Sequence, residues 1–561
     1  MMKRGIKILV VAVGLVIAGV AVLALTGTPP SELAEILAQG GEKPLRDPMR
    51  AARGAPRVLV FALDGVGADE LEAVIRSGRA RHLAALVGPP AGEPGLYRHA
   101  YSAPGVLSIL PSTTYAAWTS LFTGEPAGRT GVPGNEWFAR EEDRFYAPAP
   151  VSVKEHGDAL KVYSDQLMGT VTRVPTLYER AGVRSYVSLA ALHRGADLVT
   201  IPDARALGKV LAGSVEEVAD GSISDELYAD LDMAGVESLL ETIAERGPAD
   251  LQVVYFPGVD LWTHVAPRPL QDERRYVETV VDSAVGAVLG AYRRRGALEG
   301  THVVIVADHG HTPVLDDDRH SLGGEGADEP PAVLRRAGFR VRPAHLEIDE
   351  DEADHQAVLA YQGAFAYVYL ADRSGCPGEG SRCDWRRPPR LAEDVLPAVR
   401  AFDAANRTGA GVPALRGTLD LIFARAPRPP GQAGPFEVWD GQKLVPIGEY
   451  LAAHPRPDLL ELESRLRGLA VGPFSHHAGD VLLLAKSSSA LPIQDRHYFS
   501  GVYHSWHGSP TDQDSRIPLL VALPGGDGRA LREQVRRAVG ERPSQLDVTR
   551  LILALLRTPP H

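Results

Sequence analysis

The sequence has few cysteines and no excess of positive charge. Only two of its 561 residues are cysteines, Cys376 and Cys383, and the formal net charge is −12. No histidine or third cysteine lies near the pair, which disfavours a cysteine metal site. The turn-rich loop between them predicts a small disulfide, with two free thiols as the alternative. Because affinity for nucleic acid comes largely from Lys and Arg, the acidic balance argues against a nucleic-acid polymer as partner.

The N-terminal segment carries one long apolar run, from residue 8 to residue 25, preceded by three basic residues. About 20 apolar residues span a bilayer as a helix, and the positive side stays in the cytoplasm. We therefore predict a signal anchor over 1–27, a linker over 28–54, and an enzyme held on the membrane in the periplasm or extracellular space. A cleaved signal and a secreted enzyme are the alternative, since residues 22–24 form an acceptable cleavage site.

Short apolar runs rich in strand-forming residues recur along the chain, with helical patterns between several of them. Strands that alternate with helices imply an α/β sandwich around a mostly parallel central sheet, flanked by helices. Ligands gather at the carboxyl ends of such strands, where Asp64, Asp260 and Asp308 are expected to lie. The runs are Arg57–Leu63, Leu251–Phe256, Thr301–Ala307, Ala364–Leu370, Asp480–Ala485 and Ile517–Ala522.

The rhythm of strands and helices divides the chain into segments. It predicts a catalytic core over 55–315, an inserted cap region over 316–475, and a return to the core over 476–561. The cap segment holds the cysteine loop and Pro-rich stretches, and Asp440-Gly441 predicts a hairpin turn, so some antiparallel strand is expected there.

Asp, His and hydroxyl residues follow several of these apolar runs. Three carboxylates and three imidazoles make two mixed N/O sets of three, which suit zinc at catalytic sites with open positions. The same donors also accept manganese or iron. A hydroxyl at a helix start, such as that of Thr114, gains from the positive helix end and from a nearby metal. Each of these residues alone also has a purely structural explanation, because an Asp or Thr after a strand is often only a helix cap.

The full set of motifs, in order, resembles the alkaline phosphatase superfamily, and specifically its nucleotide pyrophosphatase/phosphodiesterase branch. The resemblance spans roughly 55–315 and 476–556. The residues that match the motifs of this branch are Pro111, Ser112, Thr114, Ser120, Thr123, Gly124, Asn135, Trp137, Asp260, His264, Asp308, His309, Gly310, His507 and Gly508.

The resemblance implies two divalent metal ions, zinc by family, and a role for each matching residue. One zinc would be held by Asp260, His264 and His507. The other would be held by Asp64, Asp308 and His309, with the Thr114 oxygen bound there as well. Thr114 would attack phosphorus to give a phosphothreonine, which water at the first zinc then hydrolyses. Asn135 would bind the substrate.

The sequence departs from the branch just after the nucleophile. The branch shows Phe-Pro-Asn-His there, and its Asn touches a phosphoryl oxygen, whereas this chain has Ala117 at that position. Thr113 is the competing nucleophile, but its spacing to the later motif residues fits less well than that of Thr114. The remaining histidines in these segments are interpreted as structural or at the pocket edge: His311, His476, His477 and His504.

These residues predict an exported hydrolase that cleaves phosphodiester or pyrophosphate bonds in a small phosphate ester. The alternatives on the same scaffold are a phosphomonoesterase, for which Arg129 and Arg194 are candidate cationic groups, and a lipid headgroup phosphotransferase. A sulfatase is disfavoured because its converted Cys or Ser is absent. A metal-retaining binding module without turnover is the non-enzyme alternative.

Overall fold

The computed structural model describes residues 41–45, 56–201, 224–323, 329–429 and 431–557 of the chain. The predicted signal anchor over 1–27 lies outside these residues. Among the helices that are described, none combines the length and the apolar character needed to cross a bilayer.

Strands in the described part of the chain form two large sheets and two short pairs. They are β1 (Gly41–Pro44), β2 (Arg57–Leu63), β3 (Ala100–Ser102), β4 (Trp137–Ala139), β5 (Arg144–Tyr146), β6 (Ser185–Ser188), β7 (Leu198–Ile201), β8 (Leu251–Phe256), β9 (Thr301–Ala307), β10 (Thr312–Pro313), β11 (Ala357–Gln362), β12 (Phe365–Leu370), β13 (Leu419–Ala424), β14 (Glu437–Trp439), β15 (Leu444–Pro446), β16 (Val481–Ala485), β17 (Ser505–Trp506) and β18 (Leu519–Ala522).

Helices cover the sheets and connect the strands. They are α1 (Ala68–Ser77), α2 (Arg81–Val87), α3 (Thr114–Thr123), α4 (Ala127–Thr130), α5 (Gly157–Ser164), α6 (Leu167–Val171), α7 (Leu177–Ala181), α8 (Glu226–Arg246), α9 (Gly258–Val265), α10 (Pro269–Tyr276), α11 (Asp282–Arg294), α12 (Pro330–Arg336), α13 (Leu396–Thr408), α14 (Ile447–Ala453), α15 (Leu462–Ala470), α16 (Asp512–Ser515), α17 (Gly528–Val539) and α18 (Val548–Leu555). A π-helical turn, Val277–Val281, joins α10 to α11.

The larger sheet has eight strands in the order β1-β7-β6-β8-β2-β9-β18-β3. The five strands from β7 to β9 run parallel, while β1, β18 and β3 pair antiparallel at the two sides. This confirms the predicted α/β fold around a mostly parallel sheet. Residues along β2 alternate between two apolar cores, one on each face of the sheet. A strand buried on both faces gives a continuous apolar run. For this reason the apolar runs predicted from the sequence have the same bounds as β2, β8 and β9.

The second sheet has six antiparallel strands in the order β11-β12-β16-β13-β14-β15. Its last two strands form a hairpin, with the backbone N–H of Asp440 donating to the Lys443 carbonyl at the turn, as predicted for Asp440-Gly441. Two of the runs that resemble buried parallel strands, at 364–370 and 480–485, belong to this antiparallel sheet. The first lies in the segment where antiparallel strand was expected. The second does not, and its sequence gives no sign of antiparallel pairing, because a strand buried on both faces looks the same in either kind of sheet.

Three further predictions concern the sides of the eight-stranded sheet and the cysteine loop. Residues 41–44, within the predicted linker, form the edge strand β1 against β7. The run at 517–522 supplies β18, which is antiparallel to β9 rather than parallel. The predicted disulfide is present between Cys376 and Cys383, whose Cα atoms are 5.0 Å apart.

Helix α3 lies between the two sheets. Its residues Trp118, Leu121 and Phe122 pack in the core of the eight-stranded sheet, whereas Ala116 and Ala117 pack in the core of the six-stranded sheet. The helix start, at Thr114, is therefore held by both sheets at once.

Candidate active site

Three carboxylates meet at the carboxyl ends of neighbouring strands, as predicted. Strands β2 and β9 are adjacent and parallel, with Leu63 opposite Ala307, so Asp64 and Asp308 follow them side by side. The third carboxylate, Asp260, lies on helix α9, which begins directly after β8 on the other side of β2. All three side chains are buried.

Three histidines face these carboxylates and complete the two predicted sets. In each set the ligand atoms lie within 4.8 Å of one another. The distances from Nε2 to the carboxylate oxygens are 3.4 Å for His309 and Asp64, 3.2 Å for His309 and Asp308, 3.4 Å for His264 and Asp260, and 3.7 Å for His507 and Asp260.

The second nitrogen of each of these histidines faces a backbone carbonyl. Because a carbonyl oxygen only accepts, Nδ1 carries the hydrogen and Nε2 presents its lone pair to the carboxylates. This is the arrangement that orients histidine for metal binding in proteins. The Nδ1 to oxygen distances are 2.8 Å for His264 and Ser505, 3.2 Å for His309 and Gly310, and 2.9 Å for His507 and Ser112.

Burial and mutual repulsion shift the titration of the cluster. Burial, together with the other carboxylates, raises the pKa of Asp64 and of Asp308 well above the usual range. Burial lowers the pKa of His309 to about 3. Burial opposes ionisation of Asp260 too, but His264 and His311 hold the pKa of Asp260 well below its usual value. A cation inside the cluster would relieve the repulsion between the carboxylates.

Two carboxylate oxygens in the cluster have no hydrogen-bond donor. They are Oδ1 of Asp64 and Oδ2 of Asp308, and both are buried. A buried carboxylate oxygen without a donor is unfavourable unless a cation neutralises it. With the imidazole lone pairs aimed at the same space, the donor set fits one divalent metal at each of the two sets of residues.

Thr114 is the hydroxyl residue that reaches this cluster. It is the first residue of helix α3, and its Oγ1 lies 3.4 Å from Nε2 of His309. The adjacent Thr113 is fully buried, and its Oγ1 makes no hydrogen bond. The geometry therefore favours Thr114 over Thr113 as the hydroxyl next to the candidate metal ligands.

Asn135 is held close to the start of helix α3. Its Oδ1 accepts from the backbone N–H of Tyr115, at 3.1 Å. Its own backbone N–H donates to Oε1 of Gln362, at 2.7 Å, at the end of strand β11. The second sheet therefore positions Asn135 beside the residue that follows Thr114.

Two glycines are required by close approach at the site. Gly65 has φ +72°, and a Cβ there would lie 2.6 Å from Nε2 of His311 and 3.0 Å from Oδ1 of Asp260. Gly508 has φ +108°, and a Cβ there would lie 2.4 Å from the carbonyl oxygen of Gln362. The second contact explains why His507 is followed by glycine: the backbone runs directly against the end of β11.

Ala117 is fully buried in the apolar core of the six-stranded sheet, as is Ala116. It follows Thr114 by three residues on helix α3, so the two positions share a face of the helix. An asparagine at this position would have to fit among the buried apolar residues of that core.

The structure places several other candidates away from the cluster. Arg194 pairs with Glu179 and donates to backbone carbonyls around residues 169–174. Arg129 pairs with Glu125 on helix α4. Of the other histidines considered in the sequence, His476 and His477 contact Glu141, and His504 faces Asp316.

Two residues at the site carry more than the sequence indicated. His311, interpreted above as an edge residue, has its Nε2 2.9 Å from Oδ1 of Asp260, and its Nδ1 3.1 Å from Oγ of Ser505. The hydroxyl of Tyr255 contacts Oδ2 of Asp64. The short spacing of Asp-His-Gly-His is a signal for the first. The alternation of β8, which aims Tyr255 at the same face as its partner Ala62, is a signal for the second.

A family model described as type I phosphodiesterase / nucleotide pyrophosphatase matches residues 58–376, more than half of the chain. The predicted resemblance to this branch is confirmed. Among curated proteins, none matches the chain.

Several solved structures are similar in fold. Murine ectonucleotide pyrophosphatase / phosphodiesterase 5, an inactive form in complex with AMP, has 13% identity and a TM-score of 0.47, covering 90% of this chain and 97% of that chain. Phosphonoacetate hydrolase from Sinorhizobium meliloti 1021, in complex with phosphonoformate, has 15% identity and a TM-score of 0.45, covering 91% and 100%.

Proposed function

Because this chain belongs to the type I phosphodiesterase / nucleotide pyrophosphatase family, we propose that it is a two-metal hydrolase of phosphodiester or pyrophosphate bonds that works through a phosphothreonine. The observation that carries the proposal is the Thr114 hydroxyl, 3.4 Å from His309 at the start of a helix and beside six buried Asp and His ligands.

The two sets of ligands would hold one divalent metal each, with zinc as the family's choice. Asp260, His264 and His507 would hold the first, and Asp64, Asp308 and His309 the second. When bound, such metals lower the pKa of an adjacent hydroxyl and neutralise negative charge that develops on phosphate oxygens.

Thr114 is the nucleophile in this proposal. Its Oγ1 forms a bond to phosphorus as the bond from phosphorus to the leaving oxygen breaks; the Thr114 proton passes to solvent, and the leaving group departs as an alcohol. Water then attacks phosphorus, the bond to Thr114 breaks, and a phosphate monoester is released as the hydroxyl is restored. The positive end of helix α3 favours both the alkoxide and the phosphoryl group.

Asn135 has the side chain best placed to contact a phosphoryl oxygen. Its Oδ1 is engaged by the N–H of Tyr115, so its amide nitrogen is available as a donor. Loss of one donor to a developing negative charge costs about 3 kcal/mol of barrier. Asn135 therefore supplies the role that the resemblance assigned to position 117 as well as its own.

The lack of a cationic side chain favours diesters over monoesters. Within the described residues, the ion-pair partners of Asp64, Asp260 and Asp308 are all histidines, and no Arg or Lys joins them. A monoester carries one more negative charge than a diester and gains more from a fixed cation. The two arginines named above, at 129 and 194, are occupied elsewhere.

We place the enzyme outside the cytoplasm, tethered by the predicted N-terminal anchor or released after its cleavage. The disulfide between Cys376 and Cys383 supports an oxidising compartment, because disulfides are rare in cytosolic proteins. Cell fractionation of the full chain, with and without alkaline carbonate extraction, separates an anchored enzyme from a secreted one. Recovery of the enzyme in the cytosol would contradict this placement.

The proposed chemistry is tested by a pair of neighbouring variants. Thr114→Val and Thr113→Val remove the same hydroxyl from adjacent positions. Hydrolysis of bis-p-nitrophenyl phosphate should fall about 10⁴-fold in the first, because the nucleophile is lost. It should change little in the second, because the lost hydroxyl has no partner. Zinc content by mass spectrometry should remain near two per chain in Thr113→Val.

The possible outcomes distinguish between the two threonines as nucleophile and between a diesterase and a monoesterase. Full activity in Thr114→Val would rule out the phosphothreonine, and loss of activity in Thr113→Val alone would move the nucleophile to Thr113. A rate on p-nitrophenyl phosphate that exceeds the diester rate would replace the diesterase with a monoesterase.

A further inference from the structure

Exposed apolar residues occur next to candidate site residues in two segments of the chain. In the described part of the chain, five large hydrophobic residues are markedly exposed: Leu261, Leu391, Val471, Val502 and Tyr503. Leu261 adjoins Asp260 on helix α9, and Val502 and Tyr503 lie in the segment that leads to His507. Single exposed apolar residues are ordinary, but a group of them beside a polar site marks a binding surface.

Tyr503 rests on a built aromatic support. Its ring centroid lies 5.5 Å from that of His264 and 5.6 Å from that of Trp506, at an interplanar angle of 75° to the indole. Trp506 is buried and packs against His264 with the ring centroids 4.6 Å apart. Tyr503 as a residue is 38% exposed, so it contacts these two rings and still reaches solvent.

Tyr503 and the nucleophile contact different members of the histidine group. Thr114 contacts His309, whose ring stacks on His507 at 3.6 Å between centroids. His507 is followed by His264, at 5.2 Å, and only then by Tyr503. The order of contacts therefore runs from Thr114 at one end to Tyr503 at the other.

The geometry of in-line displacement indicates on which side of the site the leaving group lies. The attacking and leaving oxygens lie on opposite sides of phosphorus, and two-metal sites hold one at each metal. With Thr114 on the His309 side, the leaving oxygen departs on the side of His264. An organic group attached to that oxygen would then meet the exposed ring of Tyr503.

We propose that Tyr503, supported by His264 and Trp506, is a platform for the apolar or aromatic part of the leaving alcohol. This rests on the proposed function and adds a substrate class to it: diesters with a hydrophobic leaving group are preferred over those with a small or charged one. Tyr503 would bind through its ring, which the rings of His264 and Trp506 support.

The test compares two leaving groups of nearly equal acidity and unequal apolar size. Methyl phenyl phosphate and methyl 4-tert-butylphenyl phosphate keep the same small retained ester, so only the leaving phenol differs. Wild type should favour the larger phenol in kcat/KM by about fivefold to tenfold, the effect of burying roughly 40–50 Å² of additional apolar surface. Tyr503→Ala should bring this ratio close to one, and Tyr503→Phe should preserve it.

Two controls make the result decisive. Leu391→Ala removes an equally exposed apolar side chain far along the sequence, on the turn before helix α13, and should leave the ratio unchanged. Calorimetric titration of Thr114→Val with both diesters measures binding without turnover, and adding Tyr503→Ala should weaken only the larger diester. An unchanged ratio in an active Tyr503→Ala enzyme would overturn the platform alone, whereas a wild type that hydrolyses neither diester would overturn the proposed function with it.

Discussion

The two large sheets of this protein divide the work of the site between them. The eight-stranded sheet delivers Asp64, Asp260 and Asp308 from the carboxyl ends of parallel strands or directly beyond them. No strand of the six-stranded sheet contributes a candidate ligand. Its β11–β12 turn instead holds Asn135 through Gln362, and holds the His507 carbonyl through the backbone N–H of Ala364, at 3.1 Å. Parallel strand ends bring chemistry together, while the antiparallel sheet sets its position.

Asp308→Asn tests the chemical side of this comparison and carries the largest expected effect. Loss of one carboxylate from a set of three metal ligands should abolish binding of that metal and lower diester hydrolysis by at least about 10³-fold. The metal-free variant should nevertheless be more stable than metal-free wild type at pH 8, because a repelling buried carboxylate is gone. Metal analysis measures the metal content, diester kinetics measure the activity, and calorimetry after chelation measures the stability of the metal-free proteins.

The pH dependence of that stability has a definite sign. The folded pKa of Asp64 and Asp308 is raised above the unfolded value, so the native state binds the extra protons. Their favourable contribution is full at low pH and is lost as pH rises through the folded pKa. Metal-free wild type should therefore lose stability toward alkaline pH more steeply than Asp308→Asn; parallel curves would contradict the buried repulsion.

Gln362→Leu tests the positioning side. Both ends of this buried amide are engaged, one by the Asn135 N–H and the other by the Glu136 carbonyl. Removing it should lower kcat/KM by about 10–100-fold with metal content retained, since Asn135 loses its anchor. A drop in zinc content would show that the second sheet shapes the metal site itself.

The matched control for that change lies at the other end of the same strand. Gln356 precedes β11 and is also buried, with its amide donating to the Cys376 carbonyl at 2.8 Å. Both Gln356→Leu and Gln362→Leu should lower the free energy of unfolding by about 1–3 kcal/mol. Activity should be unchanged in Gln356→Leu. Equal loss of activity in both variants would mean that the effect is global.

Ala117→Asn asks whether a family residue fits this interior. The new amide would be buried in the core of the six-stranded sheet without a partner, which should cost about 2–4 kcal/mol of stability. No gain in kcat/KM is expected, because Ala117 is fully buried in that core. A faster, folded Ala117→Asn enzyme would show that the helix presents this position to substrate. Thermal unfolding and diester kinetics decide the matter.

The disulfide offers the smallest and most local test. Replacing Cys376 and Cys383 by serine opens a loop with a sequence separation of seven residues. Stability should fall by about 2–3 kcal/mol in the chain-entropy picture. We expect kcat/KM to stay unchanged, because neither cysteine belongs to the candidate metal ligands. A change in activity would extend the positioning role of this sheet to the disulfide loop.

The sequence indicated the core strands and the ligand sets because their signals are local. Arg57–Leu63 and Thr301–Ala307 are apolar runs that end in Asp, so strand, strand end and candidate ligand are read together. The pairing of Phe365–Leu370 with Val481–Ala485 has no such signal, because it joins distant segments through backbone hydrogen bonds. Gly41–Pro44 is a polar edge strand, and its composition is that of a linker.

The sequence indicated which residues form the site better than it indicated what their side chains contact. That Ala117 faces a core depends on a second sheet packing against helix α3, which no residue near Ala117 announces. The engagement of Arg194 by Glu179 and backbone carbonyls is likewise a matter of tertiary contact. Tyr255 reaches Asp64 because β8 and β2 are neighbours in the sheet, not in the chain.

Direct identification of the phosphorylated residue tests the central claim most sharply. Wild type and Thr113→Val are mixed with bis-p-nitrophenyl phosphate, quenched in acid within one turnover, digested and sequenced by tandem mass spectrometry. We predict a nitrophenylphosphoryl group on Thr114 in both proteins, because one ester stays on phosphorus when the first nitrophenolate leaves, and no such group in Thr114→Val. Phosphate on Thr113 in wild type, or turnover by Thr114→Val at the wild-type rate without any phosphorylated peptide, would contradict it.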